Sequence, residues 1–428
     1  MAASRSLEYK VRWRLVAPIT LLLLVSSLDR VNISFAALGM NQALQLGPAA
    51  YGFGAGVLFV GFLAGQYPSV LLLQRVGMRR WVGSCAILWA LGAGGIAFIH
   101  SATAFYTLRV LVGLAEGGLA PGVVIYLSQF ATDAERARTF GVPMIAIPLS
   151  VALGSPLSGW LMSTLAPAGL APWRWLLIAE AVPALLLGIA ATVYFPDHPQ
   201  QARWLSAAER ETLQRHSAAD LRARIPNDWG TLRQPLVWVA SLLWFCLLSG
   251  SYGIIFWLPQ TLKSLTHLSP LAIGWINALP WLGAALGMYV NATHSDRTRE
   301  RFWHVAVPCL VAAVATLAAW QLSTPLWALC ALLVMGVGLG SAQGAFWSIP
   351  TLLLTRSTLA VAAVMINLLG SAGGLVMPHV IGFALQQGGG TAAVSVLLAA
   401  VLGAAGLLTL LIRGWLAGAT RAAGPAAP

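Results

Sequence analysis

Charge is scarce in this 428-residue chain: Asp, Glu, Lys and Arg make up 9% of it, and the acids number only 13. Hydrophobic residues make up 58%, more than one water-soluble core can enclose. Cysteine is rare too. Cys85, Cys246, Cys309 and Cys330 stand singly, with no CxxC and no His or Cys at metal-ligand spacing, so they read as reduced core residues and no metal or cofactor is expected. The chain lacks GxSxG, HExxH and a Walker-type phosphate loop. That leaves a membrane-embedded enzyme as a remote alternative and removes ATP as a direct energy source.

What is abundant is long apolar runs. A membrane helix needs about 20 such residues, and twelve runs qualify: 15–38, 51–74, 81–99, 103–127, 138–164, 173–195, 235–260, 270–293, 302–320, 325–352, 358–385 and 391–412. They are continuous, unlike the alternating ten-residue strands of a membrane barrel, so the expected fold is an all-α membrane protein of twelve transmembrane helices. The first run is too long for a secretory h-region and no small-residue cleavage site follows, which marks a retained helix.

The net charge of +12 is explained by where the cations fall. Arg30 and Arg109 lie inside spans, and Arg174 and Lys263 flank the outside ends. The other Lys and Arg lie at the N-terminus, after even-numbered spans, in the 196–233 segment and after the last span. This alternation is the positive-inside rule, with both termini cytoplasmic. The basic balance reports topology in a lipid bilayer, and no nucleic-acid partner is expected.

One long polar segment, 196–233, divides the chain into halves of six spans each, 1–195 and 234–428. "QRVGMRR" (Gln74–Arg80) follows the second span, and "SDRTRER" (Ser295–Arg301) follows the eighth, its counterpart. Motifs at corresponding positions imply two pseudo-symmetric six-helix bundles around a central path.

Five acidic or basic side chains lie clearly within spans: Asp29 and Arg30 in the first, Arg109 and Glu116 in the fourth, and Glu180 in the sixth. Each costs at least about 2.5–3.5 kcal/mol at mid-membrane, so each should face a cavity or a partner. Arg109 and Glu116 are two helical turns apart, on one face about 10 Å apart along the axis. Two acids and two arginines can pair. An anion that draws an arginine away then leaves its acid to bind a proton, which is the requirement for co-transport. The alternative is a static buried ion pair that fixes helix packing. Glu180 can serve either helix pairing or proton carriage, and His379 is read as a buried, satisfied histidine. Gln343 and Ser348 are candidate polar liners. Gly113 with Gly117, and Gly118 with Gly122, are spaced for close helix packing, and Pro143, Pro148 and Pro156 permit bends in the fifth span.

The loop copies resemble the short motif of the major facilitator superfamily. Arg75, Gly77, Arg79 and Arg80 match it in the first half, with Gln74 where the family carries an acid, and Asp296 and Arg297 match in the second. The resemblance implies that these residues form a cytoplasmic gate. "LDRVNISFAAL", "RVLVGLAEGGLAPG", "PDHPQQARWLSAAER", "GAFWSIP" and "HSDRTRER", in order from about Trp13 to Arg413, are similar to the anion:cation symporter family of that superfamily, whose bacterial members take up sugar acids such as galactonate, tartrate, and aromatic acids such as phthalate and hydroxyphenylacetate.

That resemblance implies that Asp29 and Glu116 carry protons, that Arg30 and Arg109 meet the substrate carboxylate, and that Trp347 and Asn367 face the substrate. An Arg fork suits a carboxylate because it grips with two hydrogen bonds and never deprotonates. Where sugar-acid members carry a Tyr in the second span and a Gln in the fifth, this chain has Phe62 and Ile147, a more apolar wall. The expected function is proton-coupled symport, by alternating access, of a small organic carboxylate: an aromatic acid, a sugar acid or tartrate. Anion exchange and proton-driven efflux on the same fold are the alternatives. The Ala and Arg richness fits a multi-pass protein of a bacterial inner membrane, and two bundles around one path suffice as a monomer.

Overall fold

The computed structural model describes residues 2–130, 146–164, 169–222, 229–321 and 324–422. Among them every regular element is a helix: α1 Ala2–Val11, α2 Ala17–Ala43, α3 Pro48–Val76, α4 Met78–Gly95, α5 Ala102–Glu116, α6 Leu119–Ser128, α7 Ala146–Ser163, α8 Pro172–Tyr194, α9 Ala207–Arg222, α10 Pro235–Leu265, α11 Pro270–Thr298, α12 Trp303–Gln321, α13 Pro325–Phe346, α14 Ser348–Leu353, α15 Arg356–Gln386 and α16 Gly390–Ala422, with short 3-10 and π turns between some of them. Eleven helical stretches among the described residues are long and apolar enough to cross a membrane. The eighteen-residue α7 stands at the place of the predicted fifth span. The first part of that span, 138–145 with Pro143, lies outside the described residues, as do Arg136 and Arg138.

The local chemistry sets the helix ends. Proline opens α8, α10 and α13, where a missing N–H costs nothing. The Ser101 hydroxyl accepts from the Ala104 N–H and caps α5. Between α3 and α4 the chain turns at Gly77, whose φ of 82° is a left-handed conformation that glycine adopts without strain.

The chain divides into two compact units: Met1–Leu46, Val57–Arg224 and Ser269–Leu271 form one, and Gly47–Gly56, Ile225–Leu268 and Ala272–Pro428 the other. In the first, α2 packs on α7 and α8, and α4 packs on α8. In the second, α10 packs on α15 and α16, and α12 packs on α16. Counted by order of spans these are the same pairings, so the repeat seen in the two loop motifs extends to helix packing. The polar 196–233 segment holds α9, and Lys10 of α1 bridges to Glu209 of α9 at 2.9 Å.

Glycine sets the closest crossings in both units. A Cβ on Gly113 would lie 2.0 Å from the Leu58 carbonyl oxygen, and one on Gly117 2.1 Å from that of Phe62. Backbone therefore meets backbone where α5 crosses α3. In the second unit, Gly336 and Gly340 of α13 meet the carbonyls of Pro280 and Ala284 of α11 in the same way.

Two readings from the sequence need correction. His379 is exposed, on the face of α15 that also presents Val376, Val380 and Phe383 outward, and its ring sits edge-on to Phe53 at 5.7 Å. Cys330 is likewise exposed, whereas Cys85, Cys246 and Cys309 are buried. A lone residue in an apolar run looks buried in sequence, but a membrane helix turns one face outward.

Candidate functional site

Asp29 and Arg30 sit near the middle of α2, and α5 offers Arg109 and Glu116. The four side chains form two reciprocal ion pairs between these helices. Arg109 Nη1 donates to Asp29 Oδ2 at 3.0 Å, and Arg30 Nη2 donates to Glu116 Oε2 at 3.0 Å. Each helix thus gives one acid and one cation, and the four charges sum to zero. The pairs differ in access. Arg109, Glu116 and Asp29 are 0%, 1% and 4% exposed, whereas Arg30 keeps 12%, so Arg30 is the more accessible of the two cations.

Phe62 of α3 places its ring 5.7 Å from the Arg30 guanidinium carbon, a cation–π distance. This brings a residue of the predicted substrate wall to the ion pairs, held there by the glycine-lined crossing of α3 and α5. Ser26, one turn before Arg30, lies beside Glu116. Helix continuity ends at the same place: α5 stops at Glu116, and α6 begins at Leu119 after a turn at Gly117 and Gly118. Discontinuous helices of this kind build many transporter sites, and hydropathy alone had read 103–127 as one helix. The equivalent span of the second unit is interrupted at Trp347, between α13 and α14.

The remaining predicted wall residues are placed separately. Ile147, on the first turn of α7, is exposed. Trp347 and Asn367 lie in the second unit. Trp347 packs against Trp244 of α10 at 5.5 Å and against Phe346 at 5.3 Å, and Trp244 stacks on Phe346 at 4.6 Å. Asn367 is exposed on α15, and one turn further on a Cβ at Gly370 would come 2.1 Å from the Trp244 ring. Trp244 is therefore a neighbour of Trp347 and of Gly370, one turn from Asn367, that the sequence did not single out. Gln343 donates to the Ser251 hydroxyl at 2.7 Å, and Ser348 bonds back to the Ala345 carbonyl. The third buried acid, Glu180 of α8, accepts from the Ser158 hydroxyl at 2.7 Å.

In the loop motif, Asp197 is the organising group. Its Oδ1 accepts from the Arg79 N–H at 2.9 Å, capping α4, and a Cβ on Gly77 would strike that carboxylate at 2.5 Å. Arg75 and Arg80 are exposed. In the second copy Asp296 pairs with Arg301 at 2.5 Å, and Arg297 is exposed. Among the described residues no group of three or more His, Cys, Asp or Glu is placed to hold a metal ion.

Residues 19–378 match the model of the Major Facilitator Superfamily. The chain is 38% identical over 406 residues to a putative tartrate transporter of Agrobacterium vitis, covering 94% of each. It is 39% identical over 317 residues to the putative metabolite transport protein NicT of Pseudomonas putida, covering 73% of this chain and 72% of that one. A crystal structure of a bacterial homologue of the human lysosomal transporter Spinster, inward-facing and occupied, superposes with a TM-score of 0.75 at 17% identity, over 94% of this chain and 97% of that one. On this family match and these relatives, the chain is a multi-pass membrane transporter and belongs to the major facilitator superfamily.

Proposed function

We propose that the protein takes up a small organic carboxylate together with protons across the bacterial inner membrane, with Asp29 and Glu116 as proton carriers and Arg30 and Arg109 as anion-binding groups. The observation that carries this reading is the reciprocal pairing of two acids with two arginines in a membrane bundle, one arginine being reachable. A substrate carboxylate competes with Glu116 for Arg30, and can grip with two hydrogen bonds the guanidinium that Glu116 holds by one. Glu116, losing its counter-charge in a dry site, takes up a proton. Asp29 and Arg109 repeat the exchange at the more enclosed pair. Phe62, Ile147, Trp347 and Asn367 are the proposed walls of the substrate path. Arg75, Gly77, Arg79, Arg80, Asp296 and Arg297 are proposed to gate the cytoplasmic side, and segment 196–233 to link halves 1–195 and 234–428, with a monomer as the working unit.

The tartrate relative at 38% identity makes tartrate the first substrate to test, followed by aromatic and sugar acids. The decisive experiment is uptake of radiolabelled tartrate, phthalate, hydroxyphenylacetate and galactonate into vesicles holding the purified protein, with and without an inward proton gradient. Accumulation against a gradient of one acid, lost in Asp29→Asn and Glu116→Gln while exchange persists, is the expected result. Gradient-driven accumulation that survives both substitutions refutes the assignment. Accumulation that follows only an outward anion gradient makes the protein an exchanger.

A further inference from the structure

Glu180 stands outside the ion-pair set, yet it is 7% exposed in the same bundle. Its helix α8 packs against α2 and α7. The Ser158 hydroxyl of α7 donates to Oε1, and Oε2 meets no donor. Among the described residues no Lys, Arg or His forms an ion pair with it. The cation on its own helix, Arg174, is committed to the carbonyls of Ala97 and Ile99 and lies over the Trp173 ring. The charged group whose field reaches Glu180 is another acid, Asp29.

Asn32 lies between them. One turn after Asp29 on α2, its side chain is within hydrogen-bonding reach of both Asp29 and Glu180. It is 3% exposed, and its Oδ1 meets no donor. Asp29 Oδ1 is in the same position. Three buried oxygens thus lack a donor on side chains that are mutual neighbours, a rare arrangement with a cost for each. One proton on Glu180 resolves all three. Its O–H donates to Asn32 Oδ1, which turns the Asn32 amide N–H groups toward Asp29 Oδ1, while Arg109 holds Oδ2. An ionised Glu180 leaves two acids near one another, with Arg109 and Arg30 acting on Asp29 and, among the described residues, no cation acting on Glu180.

We propose that Glu180 is held as a neutral carboxylic acid and acts as a positioning residue: its O–H orients Asn32, and Asn32 in turn fixes the carboxylate of Asp29. The consequence for transport rests on the reading of Asp29 as a proton carrier. The protonation of Glu180 does not, and the two are tested separately.

Infrared spectra of the purified wild type and Glu180→Gln at neutral pH test the proton. The difference is expected to show loss of a protonated-carboxyl C=O stretch, and absence of that loss overturns the proposal whatever the protein transports. Vesicle uptake as a function of pH tests the positioning. Glu180→Gln, a neutral isostere, is expected to keep the wild-type rate and pH profile. Glu180→Ala is expected to lower the maximal rate about tenfold or more through misplacement of Asp29, with KM little changed and the pH profile displaced. Asn32→Ala is expected to reproduce Glu180→Ala, and the double variant to add little; it also serves if Glu180→Ala does not fold. Glu180→Gln behaving like Glu180→Ala, or both Ala variants keeping the wild-type pH profile, overturns the proposal.

Discussion

Replacing Arg109 with Gln removes a guanidinium from a place with no accessible surface and leaves Asp29, 4% exposed, without its 3.0 Å partner. Removing one member of a buried ion pair costs about 3–5 kcal/mol, because the remaining charge has lost both water and counter-ion. Adding Asp29→Asn removes that charge. What then remains is imperfect hydrogen bonding, about 1–3 kcal/mol, so the double variant is expected to be more stable than Arg109→Gln alone. The assay is equilibrium unfolding of wild type, both single variants and the double variant in mixed micelles, analysed as a double-mutant cycle. An Arg109→Gln protein within about 1 kcal/mol of wild type, or a double variant less stable than that single one, refutes a dry, paired Asp29. The same cycle on Arg30 and Glu116 is expected to give a smaller coupling, since Arg30 keeps 12% exposure and water can replace part of the bond.

Gly113→Ala directs a methyl group at a backbone oxygen 2.0 Å away, and overpacking of this kind costs about 1–3 kcal/mol or more. Its monodisperse yield is expected to fall, while Gly414→Ala, with open space around it, is expected to match wild type. Asp197→Ala removes the cap on α4 and is expected to cost about 0.5–2 kcal/mol in thermal unfolding. Phe62→Leu removes the ring beside Arg30, and its uptake KM is expected to change while the fold is retained. Glu300, in the connection before α12, is partly buried, which raises a carboxyl. The N–H groups of Trp303 and His304 and the His304 ring outweigh this and hold it below its ordinary value of 4.5. A lowered folded-state value means that the stabilisation is present above the ordinary value and lost as pH falls through the folded one. The melting-temperature gap between wild type and Glu300→Gln is therefore expected at neutral pH and expected to close in acid.

The long runs and the charges within them were legible because lipid admits no compromise: a helix must be apolar for about twenty residues, and a charge within it needs a reason. Asp29, Arg30, Arg109 and Glu116 were found that way, and the structure brings all four together. Spacing could not say which acid meets which arginine, since that depends on how α2 and α5 cross. The interruptions at Gly117 and at Trp347 were missed because hydropathy does not register a local break in helical hydrogen bonding. Asn32 was in view, three residues after Asp29, but without α8 there was nothing to connect it with Glu180. Asp197 as the cap of α4 and Trp244 beside Trp347 arise from contacts far apart in sequence, which periodicity cannot supply.

The zero sum of the two ion pairs has an electrical consequence. Under the proposed coupling, an empty site with both pairs ionised would carry no net charge, so its return step would be indifferent to membrane voltage. A bound monoanion would leave one negative charge for one proton to balance, and a dicarboxylate two, matched by one proton on each acid. Loaded in that way the site is again neutral, and the pH difference alone, independent of voltage, would set how far the anion is concentrated.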